Sequence, residues 1–302
     1  MPTSLLMKRT LLVTLLCAAL VSAFGCGRFS NPPNDAKAER LVVISQTYNE
    51  IIWALGAQDR VVGVDLSSTY PPEVKGVQTV GYHRALSAEG ILSLRPTAII
   101  HDNNIGPPQV VEQLRGLNIP LKTFDAKNDS LEGTKALIRE MGAYFHKEDR
   151  AEELCRTLDS QVADGLARAK EFKDRPRVAV IHFGRASNVY LVVGRGGGGD
   201  GGAAGKMIEW AGGEMAVESA GMQRMESPEI IARANPDVIL VTDFGYDRLG
   251  GSVDQIKALP GVATSAAAKN NRIYRVEEHQ LMYFGPRSGE NIAKVAAIIH
   301  QQ

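Results

Sequence analysis

Tyr82 and Arg84 stand two residues apart in the run Gly81-Tyr82-His83-Arg84-Ala85-Leu86-Ser87-Ala88-Glu89-Gly90. A phenolate oxygen is one of the few protein ligands used for ferric haem. A guanidinium beside the phenol opposes the phenolate charge and so favours the ionised, ligating form. Ser87 then supplies a helix N-cap directly behind the pair. An ordinary half-exposed loop tyrosine satisfies the same ten residues, so the remainder of the chain has to choose between the two readings.

Other groups capable of chemistry are scattered. His182 ends the apolar run Val178-Ala179-Val180-Ile181, where it is either a second ligand or a hydrogen-bonded strand-end histidine. His83 neighbours Tyr82, but adjacent side chains usually point apart. His101 ends a strand without metal spacing, and His146, His279 and His300 read as surface or loop residues. Gly194-Arg195-Gly196-Gly197-Gly198-Gly199 formally satisfies the dinucleotide fingerprint. The glycines continue to Gly202, too loose for that tight turn, and no matching βαβ unit opens the chain. No Ser/His/Asp order, clear carboxylate pair or zinc spacing supports an enzyme. With 34 basic and 34 acidic residues there is no net field to hold nucleic acid.

The first residues read as an export signal. Lys8 and Arg9 precede the short apolar run Leu11–Val21, which suits a cleaved leader at residues 1–25 better than a spanning helix. Ala23-Phe24-Gly25-Cys26 resembles a bacterial lipobox, with Ala23 and Phe24 departing from its usual residues. Lipidation at Cys26 and cleavage to a soluble periplasmic form both remain open, and either places the chain on the envelope side of the membrane. Residues 26–39, with Pro32-Pro33, suit a flexible tether. After processing, Cys155 has no partner for an internal disulfide.

The elements that must position these groups alternate between strand and helix, an α/β class. Leu41–Ser45, Val61–Val64 and Thr97–Ile100 read as strands; Asn49–Leu55 and Ser87–Leu94 read as helices. Ser87-Ala88-Glu89-Gly90-Ile91…Arg95-Pro96-Thr97-Ala98-Ile99-Ile100 is echoed by Ser227-Pro228-Glu229-Ile230-Ile231…Asn235-Pro236-Asp237-Val238-Ile239-Leu240. Ile52–Ala57 is likewise echoed by Ile208–Gly213. Two related lobes explain both echoes, at residues 40–146 and 175–302. Residues 147–174 between them read as one long helix, with a stripe at Leu154, Leu158, Val162 and Leu166. Such a helix would resist hinge opening and leave a ligand cleft between nearly rigid lobes.

From Arg40 to its last helix the chain resembles the haem-binding branch of the periplasmic substrate-binding proteins that serve ABC importers. The resemblance rests on Val80–Leu92 and Phe284-Gly285-Pro286-Arg287-Ser288-Gly289-Glu290, and more weakly on Gly202–Gly213. It implies a two-lobed clamp of the third periplasmic-binding-protein class. It further implies haem carried as cargo, an ABC permease dimer as partner, and no catalysis. Cobalamin or a ferric siderophore on the same scaffold is the alternative.

Residue by residue, the resemblance implies Tyr82 as the axial iron ligand and Arg84 as the group that holds its phenolate or meets a propionate. His182 would be a second ligand from the other lobe. Met282 and Tyr283 would pack on the porphyrin face, unless they simply cover the core. Arg287 would contact a propionate or hold its own loop through Glu290. Glu89 and Glu229, one on each lobe, would dock on permease arginines, although both also stabilise a helix first turn unaided.

Overall fold

The computed structural model describes residues 39–185, 188–192, 202–217, 222–224 and 229–301. The leader at 1–25, the tether residues up to 38 with Cys26, and the glycine run from 194 to 201 lie outside the described residues. Arg40–Gln302 forms one compact unit.

The first lobe opens with β1 (Leu41–Ile44), buried at every residue. Ser45 caps α1 (Gln46–Leu55) by accepting the Tyr48 N–H, and Gly56 closes the helix in the left-handed region at φ 70°. There follow β2 (Val61–Val64), α2 (Ala88–Ser93), β3 (Ala98–His101), α3 (Pro108–Arg115), β4 (Leu121–Lys122) and α4 (Leu131–Phe145). The four strands run parallel in the order β2-β1-β3-β4. Alternation along β1 sends Leu41 and Val43 into one apolar core, and Val42 and Ile44 into another on the opposite face.

The helix expected between the lobes is α5 (Glu148–Ala169). Its stripe is shared out along its length. Leu154 and Leu158 are buried in the first lobe's core, Val162 packs against the cores of both lobes, and Leu166 packs on the second.

The second lobe contains β5 (Arg177–Arg185), β6 (Asn188–Val192), α6 (Gly202–Trp210), β7 (Glu214–Met215), β8 (Met222–Arg224), α7 (Glu229–Ala234) and β9 (Val238–Thr242). It continues through α8 (Asp243–Arg248), α9 (Val253–Lys257), α10 (Ala266–Lys269), β10 (Ile273–Val276), α11 (Glu278–Leu281) and α12 (Ser288–Ile299). Its strands run β10-β9-β5-β6-β8, with β7 also on β5. The parallel part, β7-β5-β9-β10, repeats the order β2-β1-β3-β4; the antiparallel β6 and β8 are an addition. The echo extends to backbone detail. Gly56 and Gly212, after α1 and α6, both take positive φ, as do Arg95 (49°) and Asn235 (42°) before the paired prolines.

Helix α12 lies against α5 where two glycines meet. A Cβ on Gly165 would come within 2.8 Å of the Gly289 carbonyl oxygen, and one on Gly289 would run into the backbone at Gln161 and Val162. Two histidines expected at the surface are buried instead, each about 6% exposed. His300 stacks on Phe172 and lies between Asp174 Oδ1 at 2.8 Å and the Ala211 carbonyl at 3.0 Å. His279 lies between the lobes.

Candidate functional site

Tyr82 is placed by backbone. Beyond the end of β2 the chain returns alongside it: Val64 N–H donates to the Gln78 carbonyl, Val80 N–H to Val64, and Leu66 N–H to Gly81. Gly81 takes φ 98°, which favours glycine, and turns the chain out of this pairing. The Tyr82 carbonyl then accepts the Ala85 N–H at 2.8 Å, making a tight turn. Gly106 clamps that turn from β3's side, donating to the His83 carbonyl and accepting the Leu86 N–H. Tyr82 is thus held on a braced turn at the carboxyl end of the sheet, yet its side chain is 38% exposed, and neighbouring Leu66 is 57% exposed. Parallel α/β sheets offer ligands this edge.

Around Tyr82 the polar side chains form a sequence of contacts. The His83 ring lies against the Tyr82 ring, centroids 4.2 Å apart and tilted by 48°. His83 Nδ1 faces the buried Asp65 carboxylate at 3.5 Å and Ser67 Oγ at 3.4 Å. Arg84 Nε donates to Asn104 Oδ1 at 2.9 Å. His101 nearby is buried and accepts the Asn103 N–H on Nδ1. Its burial pushes its pKa down, reinforced by Arg115 and opposed by Asp102. Tyr48, also buried, has its phenol pushed up to about 12, first by burial and then by the Asp102 charge. That removes Tyr48 as a source of phenolate.

On the second lobe, His182 is 8% exposed and its Nδ1 contacts Thr242 Oγ1 at 3.2 Å. The Thr242 hydroxyl donates its proton to the His182 carbonyl at 2.7 Å, so Nδ1 is the donor to Thr242. The other ring nitrogen, Nε2, looks toward the Glu278 carboxylate, with Oε1 at 3.8 Å. Phe244 stacks on the His182 ring at 5.9 Å, and Arg248 lies 3.8 Å over Phe244. Tyr283, 36% exposed, donates its hydroxyl to Glu278 Oε1 at 2.9 Å.

Two expected pocket residues are placed differently. Met282 is 7% exposed and belongs to the second lobe's core, the covering role that the sequence left as its alternative. Arg287 does not hold its loop through Glu290, which pairs with Lys294. Its guanidinium instead crosses to the first lobe, Nε to Glu50 Oε1 at 3.1 Å, and lies 3.3 Å over the Tyr70 ring. His279 joins the same seam, bridging Gln46 Nε2 at 2.8 Å and Thr69 Oγ1 at 2.9 Å. Burial alone would raise the Glu50 carboxyl, but the hydrogen bond from His279 and the charge and hydrogen bond of Arg287 prevail, so its pKa is lowered. Beside this seam is a pocket of about 550 Å³ lined by Trp53, Tyr70, Leu154, Gln161 and Arg287 among others; neither Tyr82 nor His182 borders it.

Glu89 and Glu229 are both exposed, in the first turns of the equivalent helices α2 and α7. Sequence reasoning missed Asp65, Asn104, Glu278, Phe244 and the Glu50 seam. Asp65 carried a signal, a carboxylate directly after the apolar β2, whereas Asn104 carried none.

The family model described as periplasmic binding protein matches residues 41–279. The chain belongs to the periplasmic binding protein family. This periplasmic binding protein is 34% identical to the periplasmic heme-binding protein RhuT from Roseiflexus sp. RS-1, solved in its apo form. The match covers 87% of this chain and 98% of that one, with a TM-score of 0.77. It is 26% identical over 266 residues to the ABC transporter substrate-binding lipoprotein YvrC of Bacillus subtilis, covering 87% of this chain and 80% of that protein. A vitamin B12-binding protein of Pectobacterium atrosepticum is 27% identical over 126 residues, only 42% of this chain and 44% of its own length. The two-lobed α/β architecture expected from the sequence is therefore that of the periplasmic binding protein's solved relative.

Proposed function

We propose that this chain captures ferric haem between its lobes and delivers it to an ABC importer permease, acting as a carrier with no catalytic step. The observation that carries the reading is Tyr82, a half-exposed phenol on a turn braced from both sides, with a guanidinium on the same turn. Likeness to a heme-binding protein over nearly that protein's whole length supports the same cargo.

In this reading Tyr82 binds the iron through its phenolate, a hard anionic donor suited to Fe(III). Arg84 opposes the phenolate charge or meets a propionate. Leu66, Phe244 and Tyr283 supply apolar and aromatic cover, and His182 faces the cargo from the second lobe as the second expected ligand. Arg287 and Met282 serve the seam and the core, one step back from the cargo. Glu89 and Glu229 present a carboxylate from each lobe to the permease. Cys26, ahead of a tether, would fix the chain to the membrane surface if acylated.

A cobalamin on the same scaffold is the second reading, favoured by the partial match to a vitamin B12-binding protein. Haemin titration followed in the visible spectrum separates them. Saturable binding with a ferric-phenolate spectrum, lost or shifted in Tyr82→Ala, is the expected result. Saturable cyanocobalamin binding without haemin binding would replace the haem reading.

A further inference from the structure

We infer that Asn104 is a positioning residue, which orients Arg84 and the His83 ring around Tyr82 by donating to one and accepting from the other. This rests on the haem reading of Tyr82 and adds a residue to it.

Hydrogen-bond polarity along the network is consistent from end to end. Asp65 is 1% exposed, and its carboxylate already accepts from Ser67 N–H at 3.2 Å, from the Ser67 hydroxyl, and from Ser68 Oγ at 2.6 Å. Such a carboxylate only accepts, so His83 Nδ1, facing it at 3.5 Å, carries the proton. His83 Nε2 is then the acceptor, and Asn104 Nδ2 stands 3.4 Å from it as a donor. The remaining end of the amide, Oδ1, accepts from Arg84 Nε at 2.9 Å. The amide therefore has one orientation that satisfies both neighbours. Reversing it would set a carbonyl oxygen against the His83 lone pair and an NH₂ against a guanidinium.

The network is also anchored. Asn104 N–H donates to Asp102 Oδ1 at 3.0 Å, fixing the loop after β3. At the other end, Asn49 Nδ2 donates to Ser68 Oγ at 2.7 Å and to the Val43 carbonyl at 3.2 Å, tying Asp65's partners to α1 and β1. Arg84 is exposed and has four side-chain torsions to immobilise. A guanidinium held by Asn104 meets the arriving ligand with much of that ordering already done. His83, flanked at Nδ1 by Asp65 and Ser67 and at Nε2 by Asn104, lies against the Tyr82 ring. Groups one step behind a metal ligand typically change metal affinity by about 10–100-fold when removed.

Haemin titrations of the mature chain as wild type, Asn104→Ala, Arg84→Ala and the double variant test this. Asn104 is exposed, so all four should melt within a few degrees of one another. Asn104→Ala should weaken haemin binding by about tenfold and shift the phenolate-to-iron charge-transfer band. In the Arg84→Ala background it should cost much less, because the guanidinium it positions is gone. Wild-type affinity and spectrum in Asn104→Ala, or full additivity of the two losses, would overturn the inference while leaving haem binding intact. No saturable haemin binding by the wild type would instead remove the haem assignment and this inference with it. A Tyr82→Ala spectrum identical to wild type would move the iron to another ligand and overturn the inference while haem binding stands.

Discussion

Glu50 on α1 and Arg287 at the start of α12 stand 237 residues apart in sequence and form one ion pair between the lobes. Both side chains are nearly buried, 8% and 12% exposed, and the guanidinium also stacks on Tyr70. Asn128 Nδ2 adds a hydrogen bond to the Phe284 carbonyl at 2.7 Å. Cargo would therefore meet a clamp whose lobes are tied by side chains as well as by α5.

Removing Arg287 leaves the buried Glu50 carboxylate without its guanidinium, with His279 still beside it. Arg287→Met should destabilise the chain by about 3–5 kcal/mol, measured by urea unfolding at neutral pH. A change below about 1 kcal/mol would mean that the seam is wetter than the geometry indicates.

The seam also sets an acid limit. Glu50 titrates below its ordinary 4.5 in the folded chain, so as pH falls the unfolded chain takes up that proton first. The stabilisation is complete above about pH 4.5 and is lost as pH drops through the lower folded value. Melting curves of wild type and Glu50→Gln should differ most at neutral pH and converge in acid. His101, whose buried ring is held below 6.5, adds an earlier limb of the same sign, complete above that value and lost as pH falls past it.

Cys155 should be inert in the folded chain. It is 1% exposed, and burial is the largest influence pushing its thiol up. A disulfide-exchange reagent at pH 8 should titrate no thiol until denaturant is added; for this measurement the mature domain is expressed without Cys17 and Cys26.

Gly165→Ala should separate α5 from α12. The new methyl meets the Gly289 carbonyl and Ile292, atoms of a packed helix that cannot swing aside. A loss of about 1–3 kcal/mol is expected, despite alanine's better helix propensity. An increase in stability would show that the helices can shift apart without cost.

Glu89→Lys and Glu229→Lys should leave the melting temperature and haemin titration close to wild type, since both residues are exposed. Uptake by membrane vesicles carrying the cognate permease should fall, most in the double variant. Undiminished uptake would move docking to another face.

Much of the architecture follows from local pattern. β1 and β3 are apolar runs bounded by polar residues, Ser45 and Ser87 cap because a hydroxyl reaches its own helix's N–H groups, and the α5 stripe follows from a four-residue spacing. These signals act within a few residues, so they are legible without the fold. The same holds for the internal echo, which the strand order and the paired φ values of Arg95 and Asn235 extend into three dimensions. Tyr82 and Arg84 were legible as a chemical pair because two residues of chain join them. What required the tertiary structure was every partnership made across the chain. Nothing near His279 in sequence announces Gln46 and Thr69, and nothing near Arg287 announces Glu50. Arg84 and Asn104 meet only because Gly106 clamps the Tyr82 turn against the loop after β3. Periodicity reports which face of an element is apolar; which polar group stands opposite depends on how the sheets and helices pack, and only the folded chain decides that.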